Sequence, residues 1–254
     1  MATHDFNAQR LFVEQPLRAG ELIRCSDDQS NYLRNVLRLT SGAEILIFNG
    51  SDGEWRARLS LEGKRSCTLE PIEQVRPQEG GPDIDYLFAP LKRARLDYMV
   101  QKATELGVAR LRPVLTRHTI AERVNVSRMR SNAIEAAEQC GILRIPEIDE
   151  PEKLDRVLDG WDVARPLVFC DEQAEVRDPI TALRTVPRGR VGVLIGPEGG
   201  FASEERERLL ALPFTVPISL GPRIMRADTA AVAALALVNA VLGDWCEEAQ
   251  PTLF

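Results

Sequence analysis

Apolar and polar positions along this chain follow two different periods, and the period changes near residue 80. Up to about residue 75 the apolar residues fall in short runs broken by turn residues. Glu44 to Phe48 is followed by Asn49-Gly50-Ser51-Asp52-Gly53 and then by Glu54 to Leu59, a hairpin pattern whose glycines are available for positive φ. Ser66 to Ile72 supplies another strand, and the spacing predicts a small β-barrel. A helix is predicted over Ser30 to Leu39, where Leu33, Val36 and Leu37 recur at helical spacing and Arg34 and Arg38 share the other face. The stretch Arg76 to Pro82 holds two prolines and two glycines and continues neither period. It sets the expected boundary between a first domain of residues 1–75 and a second of residues 76–254.

Beyond that stretch, strands and helices alternate. Tyr86 to Ala89, Arg110 to Leu115, Leu167 to Cys170, Val191 to Ile195 and Val216 to Leu220 read as strands. A helix over Arg93 to Leu106 carries Leu96, Met99, Val100, Ala103 and Leu106 on one stripe, with Gly107 as its stop. Further helices open near Ser127, Pro151, Asp178 and Ser203, the last two residues at N-cap positions, and a long one runs from Asp228 to Leu242. The pattern predicts an α/β domain with a largely parallel sheet covered by helices. In such sheets ligands bind outside the carboxyl ends of the strands, so chemistry is expected in the post-strand loops.

At 254 residues the chain can bury a core without metal or disulfide support. Its cysteines (Cys25, Cys67, Cys140, Cys170, Cys246) form no Cys-x-x-Cys pair and are odd in number, so no disulfide framework or zinc site is expected, and a reducing cytoplasm fits best. Residues 1–10 are polar and the longest apolar run, Ala227 to Leu242, is interrupted by Asp228, Thr229 and Asn239, so no membrane segment is expected. The net charge of −6 argues against a polyanionic partner, but charge is unevenly spread. From Phe88 to Arg130 ten Lys or Arg stand against three acids, and from Glu147 to Asp178 eleven acids stand against four bases. Such polarity can present one basic face to a nucleic acid, although charge runs are most often solvated helix faces.

Two post-strand loops are built for close contact. Ile195-Gly196-Pro197-Glu198-Gly199-Gly200-Phe201 gathers three glycines around a proline whose φ is fixed, yet has neither the Gly-Lys-Ser/Thr ending of a Walker loop nor dinucleotide spacing. Leu220-Gly221-Pro222-Arg223-Ile224-Met225-Arg226-Ala227-Asp228-Thr229-Ala230 again runs from a strand through a Gly-Pro turn into a helix of small residues. Taken singly, the first loop is equally readable as a plain β-to-α turn, and the second helix as a core or dimer helix.

Together the loops resemble the SPOUT class of methyltransferases. Arg10-Leu11-Phe12, Tyr32 to Leu39, Lys102-Ala103-Thr104-Glu105-Leu106-Gly107-Val108, Glu138-Gln139 and the two loops stand in the order seen in the RsmE family, which methylates N3 of a uridine in 16S ribosomal RNA. The resemblance spans nearly the whole chain. It departs from the family pattern at Asn31, where histidine is expected, at Cys140-Gly141-Ile142-Leu143-Arg144 in place of a short Ser-Gly-Arg stretch, and at Asp228, where glutamate is common.

The resemblance implies a PUA-like RNA-binding barrel over residues 1–75 and a trefoil-knotted α/β domain after it, an exception to the rule that chains do not thread loops. It implies S-adenosylmethionine held by Ile195, Gly196, Pro197, Glu198, Gly199 and Gly200, by Leu220, Gly221, Ile224, Met225 and Arg226, with Thr229 and Ala230 close by and a third wall around Phe169 and Asp171. A cytoplasmic homodimer acting on the small ribosomal subunit, without metal, is implied as well. For the chemistry, N3 of uracil is a weakly acidic imide, so cationic donors on O2 or O4 aid its attack on a sulfonium methyl. Arg10 and Arg226 are the candidates for that role, and Arg223 a lesser one. No general base stands out, since His4 and His118 carry no partner motif. RNA contact is expected from Arg10, Arg34 and Arg38 with the segment that begins at Lys92 and Arg93. Two alternatives are a SPOUT enzyme acting on another RNA and an RNA-binding protein without catalysis. A doubly wound nucleotide enzyme ranks last, because Ala89-Pro90-Leu91-Lys92 has no glycine to cradle phosphate.

Overall fold

The computed structural model describes residues 8–63, 65–120, 123–174 and 178–245; His4, Glu122 and Cys246 lie outside them. The chain divides into two compact units, Met1–Gly80 with Ile134–Ile145, and Gly81–Ala133 with Pro146–Phe254.

In the first unit five strands form one sheet: β1 (Arg10–Phe12), β2 (Ile23–Arg24), β3 (Glu44–Phe48), β4 (Glu54–Glu62) and β5 (Ser66–Arg76). Their order is β1-β3-β4-β5-β2, with β1 parallel to β3 and the other neighbours antiparallel. The register slips twice along the β4–β5 pair, between Glu54 and Trp55 and between Arg56 and Ala57, and such bulges bend and twist the strands that carry them. Leu11, Val13, Ile45, Ile47, Ala57, Leu59, Cys67 and Leu69 meet inside, and Leu33 closes the cluster. The helix expected over residues 30–39 is two pieces. A short α1 (Asp27–Asn31) opens on a capping box between Ser26 and Gln29, and a single π-helical turn (Tyr32–Val36) follows. The wider turn breaks the expected stripe, burying Leu33 while Val36 is 62% exposed. It leads to Arg38, whose φ of 54° lies in the left-handed region that non-glycine residues seldom adopt.

Residues 134–145, which the composition boundary assigns to the second domain, pack within the first unit. They supply Ala137 and Leu143 to a cluster with Phe12 and Phe48. Glu138 accepts a hydrogen bond from Phe12 N at 2.8 Å, its carboxyl pushed up from its ordinary pKa by burial. Arg76 Nη2 donates to Gly141 O at 2.7 Å.

The second unit holds β6 (Ile84–Phe88), β7 (Arg110–Leu115), β8 (Glu147–Ile148), β9 (Glu152–Lys153), β10 (Leu167–Cys170), β11 (Val191–Ile195) and β12 (Thr215–Ile218). Its helices are α2 (Arg93–Glu105), the start of α3 (Val126–Cys140), whose residues from Ile134 on belong to the first unit, α4 (Leu154–Asp159), α5 (Pro179–Leu183), α6 (Ser203–Ala211) and α7 (Ala227–Val241). The sheet order is β12-β10-β11-β6-β7-β8 with β9 beside β7, and every pairing is parallel. β6 and β11 are buried along their whole length, as central parallel strands are. Two expected helix starts shift. Asp178 does cap α5, accepting from Ile180 N at 3.0 Å, but Ala202 rather than Ser203 holds the cap position of α6, and Glu205 bonds back to Ala202 N at 3.0 Å. Near Pro151 the strand β9 precedes α4. The strands β1, β2, β8 and β9 span two or three residues each, too few to show a period.

A buried ionic triad fastens the first unit. Glu54 Oε1 accepts from Arg10 Nε and its Oε2 from Arg76 Nε, both at 2.8 Å, and the Glu54 and Arg10 side chains are 3% exposed. Replacing Glu54 with alanine leaves two buried guanidinium groups without their shared carboxylate, the costly way to break such an arrangement. Glu54→Ala is expected to destabilise this unit by about 3–5 kcal/mol, read as a lower urea midpoint in the fluorescence of Trp55. A midpoint unchanged from wild type would show the triad to be structurally idle.

Candidate functional site

The carboxyl ends of β10, β11 and β12, adjacent in the second unit's sheet, release three loops that enclose one cavity of about 420 Å³. Residues 170–173 form one wall, residues 195–201 a second, and residues 220–227 with Ala230 a third. Of the residues expected at a cofactor, Ile195, Gly196, Pro197, Glu198, Gly199, Gly200, Leu220, Gly221, Ile224, Met225, Arg226 and Ala230 line it. Phe169 and Thr229 do not. Phe169 is wholly buried and meets Phe201, a lining residue, edge-on with centroids 5.1 Å apart, while Thr229 faces solvent. Sequence reasoning missed Cys170, Glu172, Gln173, Phe201 and Arg206 as lining residues.

The glycines of the second wall have a steric reason. A Cβ on Gly196 would stand 2.4 Å from the Phe201 ring, and Gly200 has a φ of +72°. Packing against Phe201 and a left-handed backbone thus require glycine at these two positions of the lining.

Fixed charges hold the loops from outside. Arg206 on α6 bonds both oxygens of the buried Asp171, Nε at 3.0 and 3.2 Å and Nη2 at 2.9 Å, and so pins the loop after β10. Arg95 in the first turn of α2 bonds both oxygens of Asp228 at 2.9 Å and also reaches Glu198. The guanidinium holds the Asp228 carboxyl below its ordinary pKa. Glu205, buried, accepts from Ala202 N and, at 2.9 Å, from Arg117 N, which draws the loop after β7 against α6. His118 on that loop lies 3.0 Å from Gly200 O, to which its Nδ1–H donates.

The donor set tells what this cavity can hold. The N-terminus of α6, where a phosphate would sit, already carries Glu204 and Glu205. A phosphate is a poor fit. Ile195, Leu220, Met225, Ala227 and Ala230 offer apolar surface, and Glu172 and Glu198 offer carboxylates, so the lining suits a nucleoside that carries a cationic group. Both carboxylate side chains are exposed. Arg223 and Arg226 are exposed as well, and neither has a carboxylate partner among the described residues.

The other expected RNA residues differ in how free they are. Arg38, Lys92 and Arg93 are exposed, but Arg34 donates to Ser66 O at 3.0 Å and Gly63 O at 3.1 Å, and Arg10 is buried in the triad with Glu54. Much of the basic surplus between Phe88 and Arg130 is internal to its unit. Arg95, Arg110, Arg112, Arg117 and Arg128 pair with Asp228, Glu147, Asp149, Glu204 and Asp97, four of them acids from beyond residue 146. Among the described residues no group of His, Cys, Asp and Glu is arranged to hold a metal, and no helix is long and apolar enough to cross a membrane.

A family model described as the RNA methyltransferase domain matches residues 79–239, and one described as the RNA methyltransferase PUA domain matches residues 26–72. Ribosomal RNA small subunit methyltransferase E of Rickettsia conorii is 30% identical over 241 residues, covering 94% of this chain and 98% of that protein. A Legionella pneumophila protein solved with bound SAM is 28% identical with a TM-score of 0.83, covering 94% of this chain and 99% of that one. The Neisseria gonorrhoeae methyltransferase E, also solved with S-adenosylmethionine, shares the fold at a TM-score of 0.80 and 24% identity, covering 94% of this chain and all of that one. With a PUA-like barrel and a SPOUT-type α/β domain, and with a relative at 30% identity over nearly its whole length, this chain belongs to the RsmE family of RNA methyltransferases.

Proposed function

We propose that this protein transfers a methyl group from S-adenosylmethionine to N3 of one uridine in the 16S RNA of the small ribosomal subunit, as a homodimer in the cytoplasm. The observation that supports it most directly is the joining of three post-strand loops around one cavity whose lining suits a cationic nucleoside, in a chain of this family. In this reading the α/β unit is a trefoil knot, the threading that the family implies.

The cofactor supplies an electrophilic methyl on a positively charged sulfur. The chain supplies place and field. Backbone groups of Gly196 to Gly200 and of Leu220 and Gly221 approach the nucleoside closely enough to read its edge, and Met225 and Ala230 offer its base an apolar seat. Glu172 and Glu198 favour the cation. The target uracil has to leave its stack for N3 to face the methyl. Loss of the N3–H proton to solvent puts negative charge on N3, O2 and O4, and that charge is spent as N3 takes the methyl and the carbon–sulfur bond breaks, leaving a neutral thioether. Arg226, at the cavity mouth and without a carboxylate partner among the described residues, is the donor we assign to that charge, with Arg223 beside it for the phosphate backbone. The exposed Arg38, Lys92 and Arg93 hold RNA through phosphates. Arg10, bound to Glu54, serves the barrel's structure in this scheme.

Three outcomes follow. Small subunits from cells lacking this enzyme are expected to take up labelled methyl at N3 of a single 16S uridine, mapped by nuclease digestion and mass spectrometry. Label in transfer RNA or at another base would overturn the substrate assignment. Gly196→Ala forces Phe201 off Phe169 and is expected to weaken S-adenosylmethionine binding at least tenfold by calorimetry, with wild-type affinity as the contrary result. For Arg226→Ala a fall in kcat of about 100-fold is expected, and a variant with wild-type kcat would remove Arg226 from the chemistry.

A further inference from the structure

Arg95 lies outside the sequence motifs and does not line the cavity, yet it binds Glu198 of the second wall and Asp228, which directly follows Ala227 of the third. Its Nε and Nη2 each meet an oxygen of Asp228 at 2.9 Å, and Nη1 bonds Glu198. Glu198 belongs to the loop after β11. Asp228 belongs to the first turn of α7, directly after the loop that follows β12. The arginine itself sits on a firm base, because α2 buries Leu96, Met99, Val100 and Ala103 and packs against α7.

The chemistry of the contact explains why arginine stands there. Two carboxylates drawn toward one point repel each other unless a cation lies between them. A guanidinium offers a planar fork to one carboxylate and a further N–H to the other, which an ammonium on a flexible stem cannot match. The Glu198 side chain is 48% exposed, that of Arg95 28% and that of Asp228 17%, so this bridge contributes little to overall stability. Its consequence is local. It sets the distance between the glycine-rich loop and the start of α7, and hence the width of the cavity mouth.

We infer that Arg95 is a positioning residue for the cofactor: by holding Glu198 and Asp228 on one guanidinium it fixes the spacing of two cavity walls, and through them the affinity for S-adenosylmethionine. The inference rests on the proposed cofactor.

The test combines calorimetric titration of S-adenosylmethionine with hydrogen exchange of the ligand-free full chain. For Arg95→Met the dissociation constant is expected to rise about tenfold, within the range of couplings between contacting residues. Amides of residues 196–201 and 221–228 are expected to exchange faster together, while those of β6 and β11 keep their wild-type rates. Arg95→Lys should recover part of the affinity. Unchanged affinity in Arg95→Met, faster exchange in only one loop, or faster exchange spread through β6 and β11 would each overturn the assignment. Wild-type protein that fails to bind S-adenosylmethionine would instead sink the proposed function, and the exchange pattern would still decide whether Arg95 ties the two loops.

Discussion

The cavity depends on guanidinium–carboxylate bonds that hold loops in place from outside. Hydrophobic packing ends with the strands: Ile195 and Ile218 are buried, but the segments beyond them, residues 196–201 and 220–226, are half-buried or exposed and rich in glycine and proline. Glycine loops of this kind have little to order them. Arg206 on Asp171 fastens one wall, and Arg95 on Asp228 and Glu198 fastens the other two. A helix behind each wall thus supplies rigidity that the walls lack, and the backbone stays bare toward the ligand.

This division of labour decides what was legible in the sequence. The walls could be read, because close backbone approach demands glycine and a fixed turn demands proline, and both are visible at Gly196, Pro197, Gly200 and Gly221 without a partner. The supports could not. Arg95 and Asp228 are 133 positions apart, and an arginine in the first turn of a helix looks the same whether it faces water or a carboxylate. Central strands such as β11 showed as continuous apolar runs. Two- and three-residue strands carried no period. The turn at Tyr32–Val36 looked helical but takes the wider π form, which exposes Val36.

Charge was the least transparent feature. The basic surplus between Phe88 and Arg130 and the acidic surplus after Glu147 look like two faces in one dimension, and in the fold they largely meet. Arg110 with Glu147 and Arg112 with Asp149 pair β7 with its neighbour β8 and the residue after it, and Arg95 crosses to Asp228. Polarity along a chain therefore measures surface potential only after internal pairs are removed. Arg10 shows the same lesson at one residue. A cation near the start of the chain suggested contact with RNA, but Glu54 and Arg76 surround it with a buried ionic arrangement. A guanidinium so engaged has little capacity left for a transient charge elsewhere.

The residual charges at the cavity mouth bear on turnover. Glu198 shares Arg95 with Asp228, so two carboxylates face one cation and the cluster keeps a net negative charge beside the lining. Glu172 adds to it from the loop after β10, the strand between β12 and β11. A nucleoside with a sulfonium is attracted to that field, and the same nucleoside after losing its methyl carries a neutral sulfur and is attracted less. In the proposed reaction the field that favours entry therefore weakens its hold once transfer is complete. In the same proposed reaction Arg226 acts in the opposite sense, drawing the uracil while negative charge develops on its oxygens. In that proposal, acids around the cofactor and an exposed arginine at the mouth give the two reactants opposite preferences within one small opening, and this orders them before any bond is made.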